Sequence, residues 1–293
     1  MLRLKELTIE DRECFESFLW ECDLQGAERA FTNLYIWKED YKLKYTIEED
    51  VLYMVSYNED EPFAFFPMKH SGDITKEELQ KLLEYMKTEG LNLRMDRVTS
   101  KEKEIIEQFN CDICEVMEDR DNFDYVYSKE SLSTLRGKKY HSKRNHINKF
   151  KENNEYEVEV LTKENIQGAY DITDKWFDDR GEITPEKKAI YNMLDSFDEL
   201  SYVGAIVKVN GRYAAFTTGE LLNSNTVVVH IEKADPTVQG LYNIVNREFC
   251  RMFFEDAEFV NREQDLGVEG IRKAKKSYNP VKMIDKYIVK INV

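Results

Sequence analysis

The chain runs through one series of elements and then repeats it in the same order, and that repetition limits what it can fold into. Residues 2–22 (LRLKELTIEDRECFESFLWEC) and 156–177 (YEVEVLTKENIQGAYDITDKWF) each open on an alternating strand, pass through Leu-Thr and continue as an amphipathic helix. Thr8 with Asp11, and Thr162 with Asn165, are N-cap signals, because a short oxygen-bearing side chain satisfies an amide that the first turn leaves open. Phe15, Phe18, Leu19 and Cys22 keep the i, i+3, i+4, i+7 spacing of a helix with one buried face, and so do Ile166, Ala169, Tyr170 and Thr173. Further on, Val51–Tyr57 and Pro62–Pro67 read as strands around a turn at Asn58–Glu61. Tyr202–Val209 and Tyr213–Leu222 flank Asn210-Gly211, a strong signal for a tight hairpin. Thr226–Lys233 adds a strand. Each half then shows a helix and a strand: Leu79, Leu82, Leu83 and Met86 before Leu91–Val98, and Leu241, Ile244, Val245, Phe249 and Met252 before Glu258–Gln264.

These periods predict an α/β protein of two tandem units, residues 1–125 and 126–293, each a mixed twisted sheet flanked by helices. A length of 293 residues is too great for one ordinary core and comfortable for two. No apolar run approaches the eighteen residues that would span a bilayer, so no integral membrane association is expected. The opening MLRLKELTIEDRE lacks a secretory core, which predicts a cytoplasmic location. Cys14, Cys22, Cys111, Cys114 and Cys250 are odd in number and scattered, poor material for disulfides. Cys111-x-x-Cys114 is the one close pair, and a zinc ribbon needs two, so no metal is expected.

The chain is acidic, with 57 Asp and Glu against 42 Lys and Arg. Such a surface does not coat nucleic acid or anionic membrane non-specifically. Against that background residues 136–151, RGKKYHSKRNHINKFK, stand out. Arg136, Lys138, Lys139, Lys143, Arg144, Lys149 and Lys151 occur with no acidic residue between them. Tyr140, Ile147 and Phe150 give the segment an apolar helical side. Two readings answer the clustered charge: a solvated face balanced by the upstream run Glu118, Asp119, Asp121 and Asp124, or a phosphate-bearing ligand held by Lys143 and Arg144. Asn145, His146 and Asn148 add further polar groups on the segment.

Residues 261–280, NREQDLGVEGIRKAKKSYNP, form the second dense group. Asn261, Glu263 and Asp265 alternate, so they share a face if the strand persists. Gly267 and Gly270 permit a turn before a helix that carries Arg272 and Lys275. On Thr226–Lys233, Val228, His230 and Glu232 share a face. Asp235-Pro236 suits an N-cap followed by a first-turn proline, and a helix start there offers open amides to a phosphate.

With these residues in view, the second half resembles the GNAT acyltransferase fold. VQGLYNIV (Val238–Val245) stands where that superfamily carries its Gly-rich pyrophosphate loop, although Gly240 is alone and Tyr242 fills the last small position. Ala274–Tyr278 matches the spacing of the superfamily's final helix, whose tyrosine serves as general acid. More specifically, KKYHSKRNHINKF and NREQDLGVEGIRKAKKSYNP resemble the family grouped with the C-terminal domain of phosphatidylglycerol lysyltransferase, related to the Fem-type aminoacyltransferases, and the likeness covers the whole chain as a tandem GNAT pair. The lysyltransferase proper also has a large membrane portion that these residues lack.

The resemblance implies transfer of an acyl or aminoacyl group to an amine or hydroxyl. No cofactor would be tightly bound. Acyl-CoA or aminoacyl-tRNA would be the donor substrate, which brings tRNA among the partners. Tyr278 would act as acid and Glu232 or Glu263 as base. Gly240, Lys143, Arg144, Arg272 and Lys275 would hold the donor, and Asn145, His146, Asn261 and Asp265 would line the substrate side. The first half has no equivalent of these motifs and reads as the degenerate copy. The alternative is a non-catalytic RNA- or nucleotide-binding protein on the same scaffold, which the missing second glycine favours. Oligomeric state is left open.

Overall fold

A computed structural model describes residues 2–109, 113–178 and 184–292. The chain divides into two compact units. The first comprises Met1–Asp124, Gln264–Glu269 and Met283–Val293, and the second comprises Tyr125–Glu263 and Gly270–Lys282.

The first unit's sheet runs, in spatial order, Lys5–Glu6, Leu43–Glu48, Val51–Ser56, Phe63–Ala64, Arg94–Thr99, Lys286–Ile291 and Ile113–Glu118, with Met68–Lys69 paired off Val51–Ser56. Phe63–Ala64 and Arg94–Thr99 are parallel, in register at Ala64 and Met95. A parallel pair needs a crossover, and Lys76–Thr88 supplies it. That helix starts at Thr75, whose side chain accepts from the Glu78 amide while Glu78 reaches back to Thr75. It buries Leu79, Leu82, Tyr85 and Met86 against Val51, Tyr53, Met95, Val98 and Val289.

The second unit repeats that order with different residues: Tyr156–Val160, Val203–Val209, Arg212–Leu221, Thr226–Ala234, Phe259–Asn261, Asp124–Ser128 and Lys282–Ile284. Its fourth and fifth strands are again parallel, from Thr226↔Phe259 to Val228↔Asn261. The crossover is the helix Leu241–Met252. Asn210 (φ 50°) and Gly211 (φ 80°) both take left-handed backbone at the hairpin turn, as that dipeptide predicts. The basic segment forms the helix His141–Asn153 and buries Ile147 and Phe150.

In both sheets the sixth strand comes from out of sequence. Lys286–Ile291 inserts between Arg94–Thr99 and Ile113–Glu118, antiparallel to each. The expectation of one crossing, with 126–293 as a contiguous domain, is therefore corrected: the last residues complete the first unit's sheet. A buried charge cluster fixes them there. Lys286 Nζ donates to Glu28 Oε2 at 2.6 Å and Asp124 Oδ1 at 2.7 Å, and the Ala27 amide donates to Asp124 Oδ2 at 2.8 Å. These contacts also reassign the acidic run. Asp124 answers Lys286 and Asp119 answers Arg97 at 2.8 Å, so neither of them answers the basic helix.

Candidate functional site

The strand Thr226–Ala234 carries His230 and Glu232 on one face, as period 2 requires. Its parallel partner stops at Asn261, so residues 229–234 lose their neighbour on that side. The chain bends away there, with Glu263 at φ 55°. This bend overturns the expectation that Asn261, Glu263 and Asp265 share a strand face. Asn261 is buried and its Oδ1 accepts from the Glu263 amide at 2.8 Å. Glu263 turns toward His230, while Asp265 falls in the first unit, fully buried, accepting from Gly267 N at 3.0 Å and Arg120 at 3.3 Å.

The bend puts Arg262 in the place the sequence reading left empty. Arg262 Nη2 donates to Glu232 Oε1 at 2.8 Å, and its guanidinium lies 4.9 Å from the Tyr278 ring centroid and 5.7 Å from that of Tyr127. Glu232 Oε2 accepts from Asn246 Nδ2 at 3.2 Å. With both oxygens engaged, Glu232 anchors a cation and does not stand open as a base. The side chains of Arg262 and Glu232 are 12% and 13% exposed, and Nη1 of Arg262 is buried without a hydrogen bond among the described residues.

Tyr278 is 6% exposed. Its hydroxyl accepts from Asn243 Nδ2, which leaves its own hydrogen for another acceptor. Burial, opposed by Arg262 and reinforced by Glu232, pushes its pKa up to about 12, so it keeps its proton at neutral pH. Lys143 reaches over from the basic helix. Its Nζ donates to Ser277 Oγ at 2.6 Å and sits 3.9 Å from the Tyr278 ring centroid. Burial and repulsion from Arg262 lower the Lys143 pKa to about 8, against the pull of Glu232. The basic helix and the tail of the last helix thus meet, at Lys143, Ser277 and Tyr278.

Other expected donor ligands are committed elsewhere. Arg144 donates to the carbonyls of Leu135 and Gly137 and holds its own loop. Lys275 Nζ donates to the carbonyls of Arg262 and Glu263, and so fixes the bend. Arg272 is half-buried on the same helix, and Asn145 is exposed, 3.2 Å from His141 Nε2. Gly240 has φ 88°, and a Cβ there would lie 2.6 Å from the carbonyl oxygen of half-buried His146. Gly240 therefore lets the loop pack on the basic helix. Asp235-Pro236 does not begin the helix. Asp235 Oδ1 accepts from Thr237 N at 3.0 Å, a turn that uses the same chemistry as an N-cap, and the helix starts only at Leu241.

His230 is held between carboxylates: Nε2 lies 2.9 Å from Glu220 Oε1 and Nδ1 lies 3.4 Å from Glu263 Oε1. Burial lowers its pKa, but the two carboxylates outweigh burial and carry it up to about 9. Among the described residues no cluster of three His, Cys, Asp or Glu side chains is placed to hold a metal. The side chains of the Cys111–Cys114 pair lie outside the described residues. No helix among the described residues is long and apolar enough to cross a membrane.

Comparisons with known proteins agree with this geometry. The family model described as phosphatidylglycerol lysyltransferase, C-terminal, matches residues 21–290. A conserved protein of unknown function from Bacteroides thetaiotaomicron VPI-5482 superposes with a TM-score of 0.94 at 34% identity, over 100% of both chains. The L-PGS of Bacillus licheniformis gives 0.69 at 14% identity, over 96% of this chain and 92% of that one. FemX gives 0.61 at 10% identity, over 99% and 98%. The fold is therefore the tandem GNAT-like pair. A curated relative, "Uncharacterized protein MYCGA3080" of Mycoplasmoides gallisepticum, is 26% identical over 176 residues, 57% of this chain and 56% of that protein's length.

Proposed function

The chain belongs to the phosphatidylglycerol lysyltransferase C-terminal family, a group of aminoacyl and acyl transferases, and from that premise we propose that it moves an aminoacyl group from aminoacyl-tRNA to an amine or hydroxyl acceptor. The observation that carries this reading is the arrangement of Arg262, Tyr278 and Lys143, in which a buried cation, a protonated phenol and an amine of lowered pKa share one aromatic ring.

Each group matches one need of acyl transfer. The acceptor attacks the ester carbonyl and must lose a proton. Lys143, with its pKa near 8, takes it, because a base works best when its pKa lies near the working pH. The carbonyl oxygen becomes an oxyanion, and the uncommitted Nη1 of Arg262 is a donor for that charge. The tetrahedral centre collapses by breaking the ester C–O bond, and Tyr278 protonates the departing ribose oxygen. The proton on Lys143 then returns to the phenolate, closing the cycle without net change in the protein. Glu232 and Asn243 fix Arg262 and Tyr278 in place.

The test is transfer from labelled aminoacyl-tRNA to amine and hydroxyl acceptors. Arg262→Met should cut turnover by roughly 10²–10³, the usual loss of one oxyanion donor. Undiminished turnover in that variant would remove the cluster from the chemistry. A second reading, a non-catalytic RNA or nucleotide binder, draws on Tyr242 standing where the superfamily has a small residue. It predicts donor binding without transfer, and binding that weakens steeply with salt.

A further inference from the structure

A cavity of about 700 Å³ in the second unit is not used by the chemistry above. It opens beside the Asp235–Gly240 loop, one residue beyond the end of the Glu232 strand. Its walls come from the helix Ile166–Asp178, the Asn210-Gly211 hairpin and Asn154. We propose that this cavity holds a nucleoside 5′-phosphate with free ribose hydroxyls, the terminal nucleotide of the donor. The inference rests on the transferase reading for its role but not for its chemistry.

Size comes first. Pockets of about 300–1,000 Å³ bury ligands of drug size, which fits a nucleotide, whereas an amino acid or a lone phosphate would leave most of this space empty. The walls supply one group for each part of a nucleotide. Trp176 is a fixed aromatic plate: its indole N–H donates to the Tyr242 hydroxyl at 3.2 Å, and Lys233 Nζ sits 3.5 Å from its ring centroid. A base stacked on such a plate gains about 1–3 kcal/mol. Asn154 and Asn210 stand at the edge. The amide of Asn154 donates to the Phe150 carbonyl at 2.9 Å and that of Asn210 to Asn154 Oδ1 at 3.4 Å, so each NH2 retains a hydrogen for a ring nitrogen.

Asp171 accepts from Gln167 at 2.9 Å through Oδ1, and its second oxygen is an acceptor for ribose hydroxyls, the same pairing by which acidic residues select ribose in dinucleotide sites. Arg212 is exposed at the rim and makes no ion pair among the described residues, so it is the cation for the 5′-phosphate. The remaining charges, Lys175 and Asp235, neutralise each other. Asp171 also selects between sources. The 3′ end of an aminoacyl-tRNA has an unphosphorylated ribose, whereas coenzyme A carries a 3′-phosphate that this carboxylate repels. The helix Leu241–Met252 links the cavity to the cluster, because Tyr242 holds Trp176 while Asn243 and Asn246 hold Tyr278 and Glu232.

The experiment titrates the full chain with adenosine 5′-monophosphate and with coenzyme A by calorimetry. Adenosine 5′-monophosphate should bind more tightly than coenzyme A, and Asp171→Asn should narrow the gap. Trp176→Ala and Arg212→Glu should each weaken adenosine 5′-monophosphate at least ~10-fold, as expected for loss of a stacked base or a charged hydrogen bond. Arg212 is exposed on a hairpin, so the fold does not depend on it, and melting curves check both variants. Wild-type chain that binds no adenosine 5′-monophosphate, or variants that bind it as well as wild type, would overturn the assignment. A transfer assay separates the two claims. If transfer proceeds while both variants keep the donor KM, the cavity assignment falls and the transferase reading stands. If binding depends on Trp176 and Arg212 but no aminoacyl group moves, the cavity stands and the transferase reading falls.

Discussion

The two units share a strand order and a parallel fourth and fifth pair, yet they differ where the fifth strand ends. In the first unit Arg94–Thr99 runs straight into the helix Ser100–Gln108, capped by Thr99 and Glu102 in a reciprocal box. In the second unit Phe259–Asn261 is followed by residues 262–268 before the helix Glu269–Lys276 begins. The charges follow the same division. The first unit's buried cations each meet a carboxylate: Lys286 has Glu28 and Asp124, and Arg29 has Glu102 at 3.0 Å, its side chain 1% exposed. Around Tyr278 two cations, Arg262 and Lys143, share one carboxylate, Glu232, and Lys143 rests on a hydroxyl and a ring. One unit uses buried charge to hold strands together. The other keeps cationic charge in excess beside a phenol, an arrangement that an anionic group completes.

That contrast is most exposed to failure at Lys286. Lys286→Met leaves Glu28 and Asp124 buried without their cation, and removing one partner of a buried pair costs about 3–5 kcal/mol. Denaturant melts should show that loss, while the folded fraction keeps its transfer rate. A comparable loss of transfer rate in the folded fraction would erase the division of labour between the units.

His230 gives the next effect, through pH. Its pKa rises from 6.5 unfolded to about 9 folded, so its contribution is fully present below about 6.5 and is lost as pH climbs through 9. The size is about 3 kcal/mol at the conversion of 1.36 kcal/mol per unit. Denaturant melts should show this fall in wild type relative to His230→Gln. Equal slopes for the two proteins would mean that Glu220 and Glu263 do not hold a charged imidazole.

Lys143 and Arg144 separate a ligand cation from a structural one. Lys143→Ala should weaken donor binding about 10-fold, in line with one charged hydrogen bond. In wild type the same contact should fade above pH 8, where Lys143 loses its proton. Arg144→Ala should instead lower stability by about 1–3 kcal/mol, because it uncaps the Leu135 and Gly137 carbonyls. The reverse outcome would return Arg144 to the site and remove Lys143.

Local patterns carried much of this into the sequence. The Asn210-Gly211 turn, the Thr162–Asn165 helix start and the buried side of the basic helix follow from period and turn chemistry. Features that depend on distant partners were hidden. Lys286–Ile291 belongs to the first unit because Glu28 and Asp124 receive it, a pairing that no local window contains. Arg262 was missed because alternation was carried past Asn261, where the strand has already ended. Asp235-Pro236 misled because an Asp that closes a turn on residue i+2 and an Asp that caps a helix use the same hydrogen bond. Tyr278 was legible from its spacing to Ala274, but the spacing said nothing of Asn243, which orients its hydroxyl.

The most direct measurement is single-turnover transfer from aminoacyl-tRNA by Tyr278→Phe, with donor affinity measured alongside. The account predicts unchanged affinity and a rate lower by about 10²–10⁴, the usual contribution of a positioned acid. Wild-type rate in that variant would contradict it and leave the hydroxyl with only its hydrogen bond to Asn243.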